Sequence, residues 1–86
     1  MEKTITILNE EGLHARPAAV LVKTASSFNS DIVLKTADKE VNAKSLMSVM
    51  TLGLKKGAVV EVIANGEDAE KALTEISDLA TNKFGL

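Results

Sequence analysis

The sequence predicts an α+β domain in the order β-α-β-β-α-β-α, a four-stranded antiparallel sheet with three helices on one face. Three observations carry that prediction. Short β-branched runs with one apolar face alternate with longer runs carrying one apolar stripe, the pattern of a two-layer fold. The chain has 86 residues, room for one domain over 1–86 and not for two. Its 45% hydrophobic content is enough for a small core, which must be efficient at this size. No repeat, linker or low-complexity segment interrupts it.

Lys3–Leu8 (KTITIL) reads as the first strand, with Ile5 and Ile7 on one face and Thr4 and Thr6 on the other. A polar loop, Asn9–Gly12, follows. Arg16–Phe28 reads as a helix, because Ala18, Leu21, Val22, Ala25 and Phe28 share a face at about 100° per residue. Arg16, Val20, Lys23 and Ser27 fall opposite. Pro17 sits in the first turn, where its missing N–H does no harm. Asp31–Thr36 and Glu40–Ala43 read as a hairpin around Ala37–Lys39. Ser45–Leu52 reads as a short helix closed by Gly53, Lys55–Gly57 as a turn, and Val59–Ala64 as a strong strand. Asn65-Gly66 is a turn signal. In the last helix, Ala69–Thr81, residues Ala69, Ala72, Leu73, Ile76, Leu79 and Ala80 form a continuous stripe. Glu67 and Lys71 stand at the i,i+4 spacing of a helical ion pair.

Composition narrows the function. With no cysteine and one histidine, disulfides, thiolate chemistry and a nitrogen- or sulfur-rich metal site are set aside; no cofactor is expected. The net charge of −2 and two phenylalanines as the only aromatics offer nucleic acid neither attraction nor stacking. No apolar stretch approaches the roughly 20 residues of a membrane span, and the N-terminus is no signal peptide. The expectation is a cytoplasmic protein with no membrane insertion.

The chemistry gathers at Gly12-Leu13-His14-Ala15-Arg16-Pro17-Ala18. A neutral imidazole is a nucleophile toward phosphorus, and the ordinary histidine pKa of about 6.5 leaves much of it neutral near pH 7. His14 is placed just before a helix start, whose unpaired N–H groups and dipole favour a phosphoryl group. Arg16 adds a fixed charge with several donors. No nucleotide-binding motif is present, so the group must come from another protein, reaching an exposed loop. Spacing alone leaves the plainer alternative of a histidine that only caps a helix or faces solvent.

GLHARPA resembles the active-site motif of the HPr family, the histidine-containing phosphocarriers of the bacterial phosphoenolpyruvate–sugar phosphotransferase system. The resemblance extends over essentially the whole chain, through Lys44-Ser45-Leu46-Met47-Ser48-Val49-Met50 and Leu52-Gly53-Leu54 to Lys56-Gly57. It implies the family's open-faced β-sandwich. It also implies phosphorylation of the His14 δ1 nitrogen by Enzyme I, and transfer to the EIIA domains of sugar-specific permeases. Arg16 matches the arginine assisting that transfer. The protein is then a stoichiometric carrier and not an independent catalyst.

Ser45 reads first as an N-cap. In low-GC Gram-positive relatives, which the Met47/Met50 pair resembles, the matching serine is phosphorylated by HPr kinase/phosphorylase, and the product is a corepressor with CcpA. The helix after Ser45 has an apolar arc of about 220°, against a core-facing stripe of roughly 100°. Val49 and Leu52 are expected to turn inward, leaving Leu46, Met47 and Met50 as an exposed patch; burial on two sides is the alternative. The expected partner surface combines His14, Arg16, Val20, Lys23, Ser45, Leu46, Met47 and Met50 on a monomer. Three other functions compete. A purely regulatory module is opposed by His14. A nitrogen-branch paralogue is opposed by the Lys44–Met47 segment. A small-molecule-binding domain would make GLHARPA a helix cap and nothing more.

Overall fold

The computed structural model describes residues 1–85. Its elements run β1 (Glu2–Thr6), α1 (Ala15–Ser26), β2 (Asp31–Lys35), β3 (Glu40–Asn42), α2 (Leu46–Met50), β4 (Val59–Asn65) and α3 (Ala69–Thr81), followed by a 3₁₀ turn over Lys83–Gly85. The order and the α+β class are those the sequence predicts. The strands form one sheet in the order β1-β4-β2-β3, every pair antiparallel.

Register decides which face becomes core. Ile5 opposes Val60, Leu34 opposes Val62 and Ile32 opposes Ala64, so these apolar side chains share the inner face and all are buried. The next row places Thr4 beside Glu61, Glu61 beside Lys35 and Lys35 beside Glu40 on the opposite face. A period of two residues makes both faces from one sequence. The Glu2 carboxyl beside Glu61 on that outer face raises the Glu61 pKa above its ordinary value.

Helices cover the inner face. Ala18, Leu21 and Ala25 of α1, Val49 of α2, and Ala69, Ala72, Leu73, Ile76 and Ala80 of α3 join the sheet residues in one core. The small alanines let helix backbones approach the sheet closely. The last helix coincides with its predicted span, because its apolar spacing is uninterrupted. The other boundaries shift by a residue or two. Helix α1 stops at Ser26, since the Ser27 N–H and Oγ both donate to the Thr24 carbonyl, at 3.1 and 2.6 Å, and the chain tightens into a 3₁₀ exit. Phe28 still reaches the core. Strand β1 ends before Ile7, whose backbone bonds Gly57 and Ala58 in an irregular turn instead.

One expected contact does not form. Glu67 precedes Asp68, the N-cap of α3, and so lies outside the helix that would align it with Lys71. Among the described residues the ion pair present is Lys56–Glu10, at 2.5 Å.

Candidate functional site

His14 is the N-cap of α1, with extended backbone angles (φ −89°, ψ −165°) and no side-chain cap hydrogen bond. It is exposed, yet its flanks are fixed. Leu13 is buried and donates its N–H to the Leu54 carbonyl at 2.9 Å. On the other side Pro17 and Ala18 are buried, and the Ala18 N–H donates to the His14 carbonyl at 2.8 Å. An exposed ring therefore stands on a backbone anchored before and after it.

Gly12 makes this approach possible. A Cβ there would sit 2.3 Å from the Leu54 carbonyl oxygen and 2.8 Å from the Lys55 Cα, and its φ is +74°. Only glycine fits both demands. The loop closes on itself through the Gly12 N–H to the Asn9 carbonyl at 3.0 Å and the Asn9 Nδ2 to the Gly12 carbonyl at 2.6 Å. The buried Oδ1 of Asn9 has no partner among the described residues.

The opening turn of α1 supplies donors. An α-helix leaves its first N–H groups without intrahelical partners. Pro17 has none to leave, so the unpaired ones are those of Ala15 and Arg16, next to the imidazole. Neither donates to another group among the described residues. The placing of His14 at a helix start agrees with the sequence reading: the imidazole, two open amides and the positive end of a 12-residue helix coincide.

The surroundings carry charge of both signs. Two concavities meet at His14: one is lined also by Glu10, Glu11, Lys55 and Lys56, the other by Asn9, Ala15, Arg16, Pro17 and Lys83 together with the same two glutamates. The hydrogen bond and charge of Lys56 hold the Glu10 carboxyl below the usual carboxylate range. Lys55, Lys56 and Lys83 escaped the sequence reading, because only folding brings them to His14. No group of three or more metal-ligating side chains occurs among the described residues, and none of their helices is long and apolar enough to cross a membrane.

The second expected feature lies on α2. Ser45 is its N-cap; its Oγ accepts from the Ser48 N–H at 3.4 Å and donates to the Ser48 Oγ at 3.0 Å. Val49 is fully buried while Leu46, Met47 and Met50 are 40%, 80% and 44% exposed. Leu52 is partly buried against the core. The wide apolar arc thus splits as the sequence predicts, and the two-sided burial alternative does not hold. Helices α1 and α2 are in contact, and Arg16 and Lys23 of α1 are both exposed. Val20 is half-buried against the core, so it offers less surface than an opposite-face position implied.

Comparison with known proteins agrees with this geometry. The family model for the PTS HPr component phosphorylation site matches residues 1–82. The phosphocarrier protein HPr of Xylella fastidiosa is 45% identical over 84 residues, covering 98% of this chain and 94% of its own. HPr-C-His from Thermoanaerobacter tengcongensis superposes with a TM-score of 0.96 at 50% identity, covering 100% of this chain and 97% of its own. A structure of an HPr dimer from the same organism gives 0.81 at 50% identity, covering 100% and 99%.

Proposed function

The chain belongs to the HPr family of phosphotransferase-system phosphocarriers, and on that premise we propose that His14 receives a phosphoryl group from Enzyme I and delivers it to EIIA domains of sugar permeases. The observation carrying this reading is the exposed imidazole at the start of α1, unbonded through its side chain and flanked by two open backbone amides. The δ1 nitrogen attacks phosphorus, the bond from phosphorus to the donor breaks, and the N–P bond forms. The reverse sequence passes the group to the acceptor. Nothing is consumed, so the protein acts as a stoichiometric carrier in the cytoplasm, as a monomer.

Arg16 and the Ala15 and Arg16 amides stabilise the phosphoryl oxygens during both transfers. The exposed Leu46, Met47 and Met50, with Val20 at their edge, form the apolar centre of the partner surface, and Arg16 and Lys23 meet acidic groups around it. Complementary charge gives fast encounter without tight binding, which suits a carrier that must release each partner.

Ser45 is the regulatory site in this reading, phosphorylated by HPr kinase/phosphorylase and then recognised by CcpA. Added negative charge beside the patch repels acidic partner groups and slows transfer at His14. Ser45→Asp is therefore expected to lower the rate of phosphorylation by Enzyme I; an unaltered rate removes the electrostatic explanation.

Incubation with Enzyme I and phosphoenolpyruvate tests the central claim. An acid-labile phosphoryl group, mapped to His14 and lost in His14→Ala, is expected. A stable wild-type protein that takes up no label with active Enzyme I rules the reading out.

A further inference from the structure

The turn after α3 carries an unusual backbone. Lys83 (φ 54°) and Phe84 (φ 59°) are consecutive non-glycine residues in the left-handed region, where an L-residue crowds its own carbonyl. Two ties hold the conformation. The Phe84 side chain is buried at 2% exposure, and the Gly85 N–H donates to the Asn82 carbonyl at 3.0 Å. Burial of Phe84 accounts for the turn. It also fixes where Lys83 goes: into the wall of the His14 cleft, on the side of Arg16 and Pro17.

Charge gives that placement a use. Glu10 and Glu11 both border His14, and a phosphoryl dianion arriving there meets two carboxylates. Lys56 is engaged with Glu10. In the concavity lined by the start of α1, Arg16 and Lys83 are the cations, and neither is paired with a carboxylate among the described residues. The field of Lys83 also reaches Glu10, whose carboxyl it helps to keep ionised.

We propose that Lys83 is a phosphoryl-binding residue, its ammonium group donating to an oxygen of the phosphoryl group on His14 from the concavity that Arg16 and Pro17 also line. This rests on the phosphocarrier reading and adds to it a residue that neither the GLHARPA segment nor its helix contains.

The test uses the full chain, phosphorylated by Enzyme I and phosphoenolpyruvate, with phosphorus-31 NMR following the titration of the phosphoryl group. A neighbouring cation favours the dianion, so Lys83→Asn is expected to raise the phosphoryl pKa by roughly half a unit. Lys83→Gln is expected to do the same, and Lys83→Arg to restore the wild-type value. Asparagine tolerates the left-handed region better than lysine, so the Tm of Lys83→Asn is expected to hold or rise, which separates lost charge from lost fold. Phosphorylated Lys83→Asn and Lys83→Gln proteins that titrate like wild type overturn the proposal and leave the carrier reading intact. A wild-type protein that takes no label overturns both.

Discussion

Helices α1 and α3 begin with polar residues of similar placing and opposite use. His14 and Asp68 are both N-caps, and neither side chain caps its own helix. Asp68 turns its carboxylate outward from α3. It accepts the Asn29 N–H at 2.9 Å, the Ser30 N–H at 3.0 Å and the Ser30 hydroxyl, stitching the loop between α1 and β2 to a helix more than thirty residues away. These bonds, the Ser30 hydroxyl foremost, hold its carboxyl below the ordinary aspartate range. His14 makes no side-chain hydrogen bond of this kind, and the amides beside it are open. The polar residue whose bonding capacity is consumed by the fold is structural. The one left with capacity, on a backbone pinned from both sides, is available for chemistry.

Exchanging the two roles by mutation is the strongest way to break this contrast. His14→Ala is expected to abolish acid-labile labelling while leaving the Tm within about 2 °C, since an exposed, unbonded side chain contributes little to stability. Asp68→Ala is expected to keep labelling at His14 and to lower the Tm by roughly 5 °C, the scale of several lost, partly buried hydrogen bonds in a domain this size. The acid limb carries the sign. Because the folded pKa of Asp68 is depressed, its contribution is complete above the unfolded value of about 3.9 and disappears as pH falls through the folded value. Wild type should lose stability below that pH more steeply than Asp68→Ala, as read by thermal melts from pH 5 downward. Loss of labelling in Asp68→Ala, or a large Tm fall in His14→Ala, would erase the distinction between the two helix starts.

Gly12→Ala asks how much of the His14 end depends on its frame. The added methyl meets the Leu54 carbonyl and the Lys55 backbone, neither of which can swing aside as a flexible side chain does. With the positive φ included, the expected cost is about 3 kcal/mol, measured by denaturant unfolding. A cost under about 1 kcal/mol would mean that the loop is not pinned and that His14 is held some other way.

These contacts also mark how far the sequence could be read. Helix α3 and the inward turn of Val49 were legible because each follows from local spacing. So was His14 at a helix start, since Pro17 and the Ala18–Leu21–Ala25 stripe fix where α1 begins. Gly12 read only as the end of a polar loop, because its close neighbour Leu54 is more than forty positions away. Asp68 gave no local signal, because its partners lie 38 and 39 positions off. Lys83 gave no local signal, because its position depends on how Phe84 docks in the core. Helical and strand periods predict faces; they do not predict which distant loops those faces bring together.

A smaller effect is expected at the apolar patch. Met47 is 80% exposed, so Met47→Ala should leave the Tm unchanged within about 2 °C. In the docking surface proposed for it, the same change removes contact area at the centre, and the affinity for Enzyme I should fall by roughly three- to tenfold, the scale of one lost hydrophobic contact. Titration calorimetry reads the affinity. Unchanged binding in both Met47→Ala and Arg16→Ala would take this surface out of the partner interface.

The smallest effect is expected at the short contact between Lys56 and Glu10. Lys56 and Glu10 approach to 2.5 Å, yet their side chains are 53% and 80% exposed. Water screens such a pair, and ordering two long side chains offsets most of the attraction. Asp68 differs by receiving backbone N–H groups that are already fixed in place, so its bonds require little further ordering. Glu10→Gln is therefore expected to leave the Tm unchanged within about 1 °C, at low salt and at high salt alike. A fall matching that of Asp68→Ala would mean that the His14 end is also held by its charged side chains. The availability of His14 would then depend on ionic strength, and the contrast between the two helix starts would be one of degree.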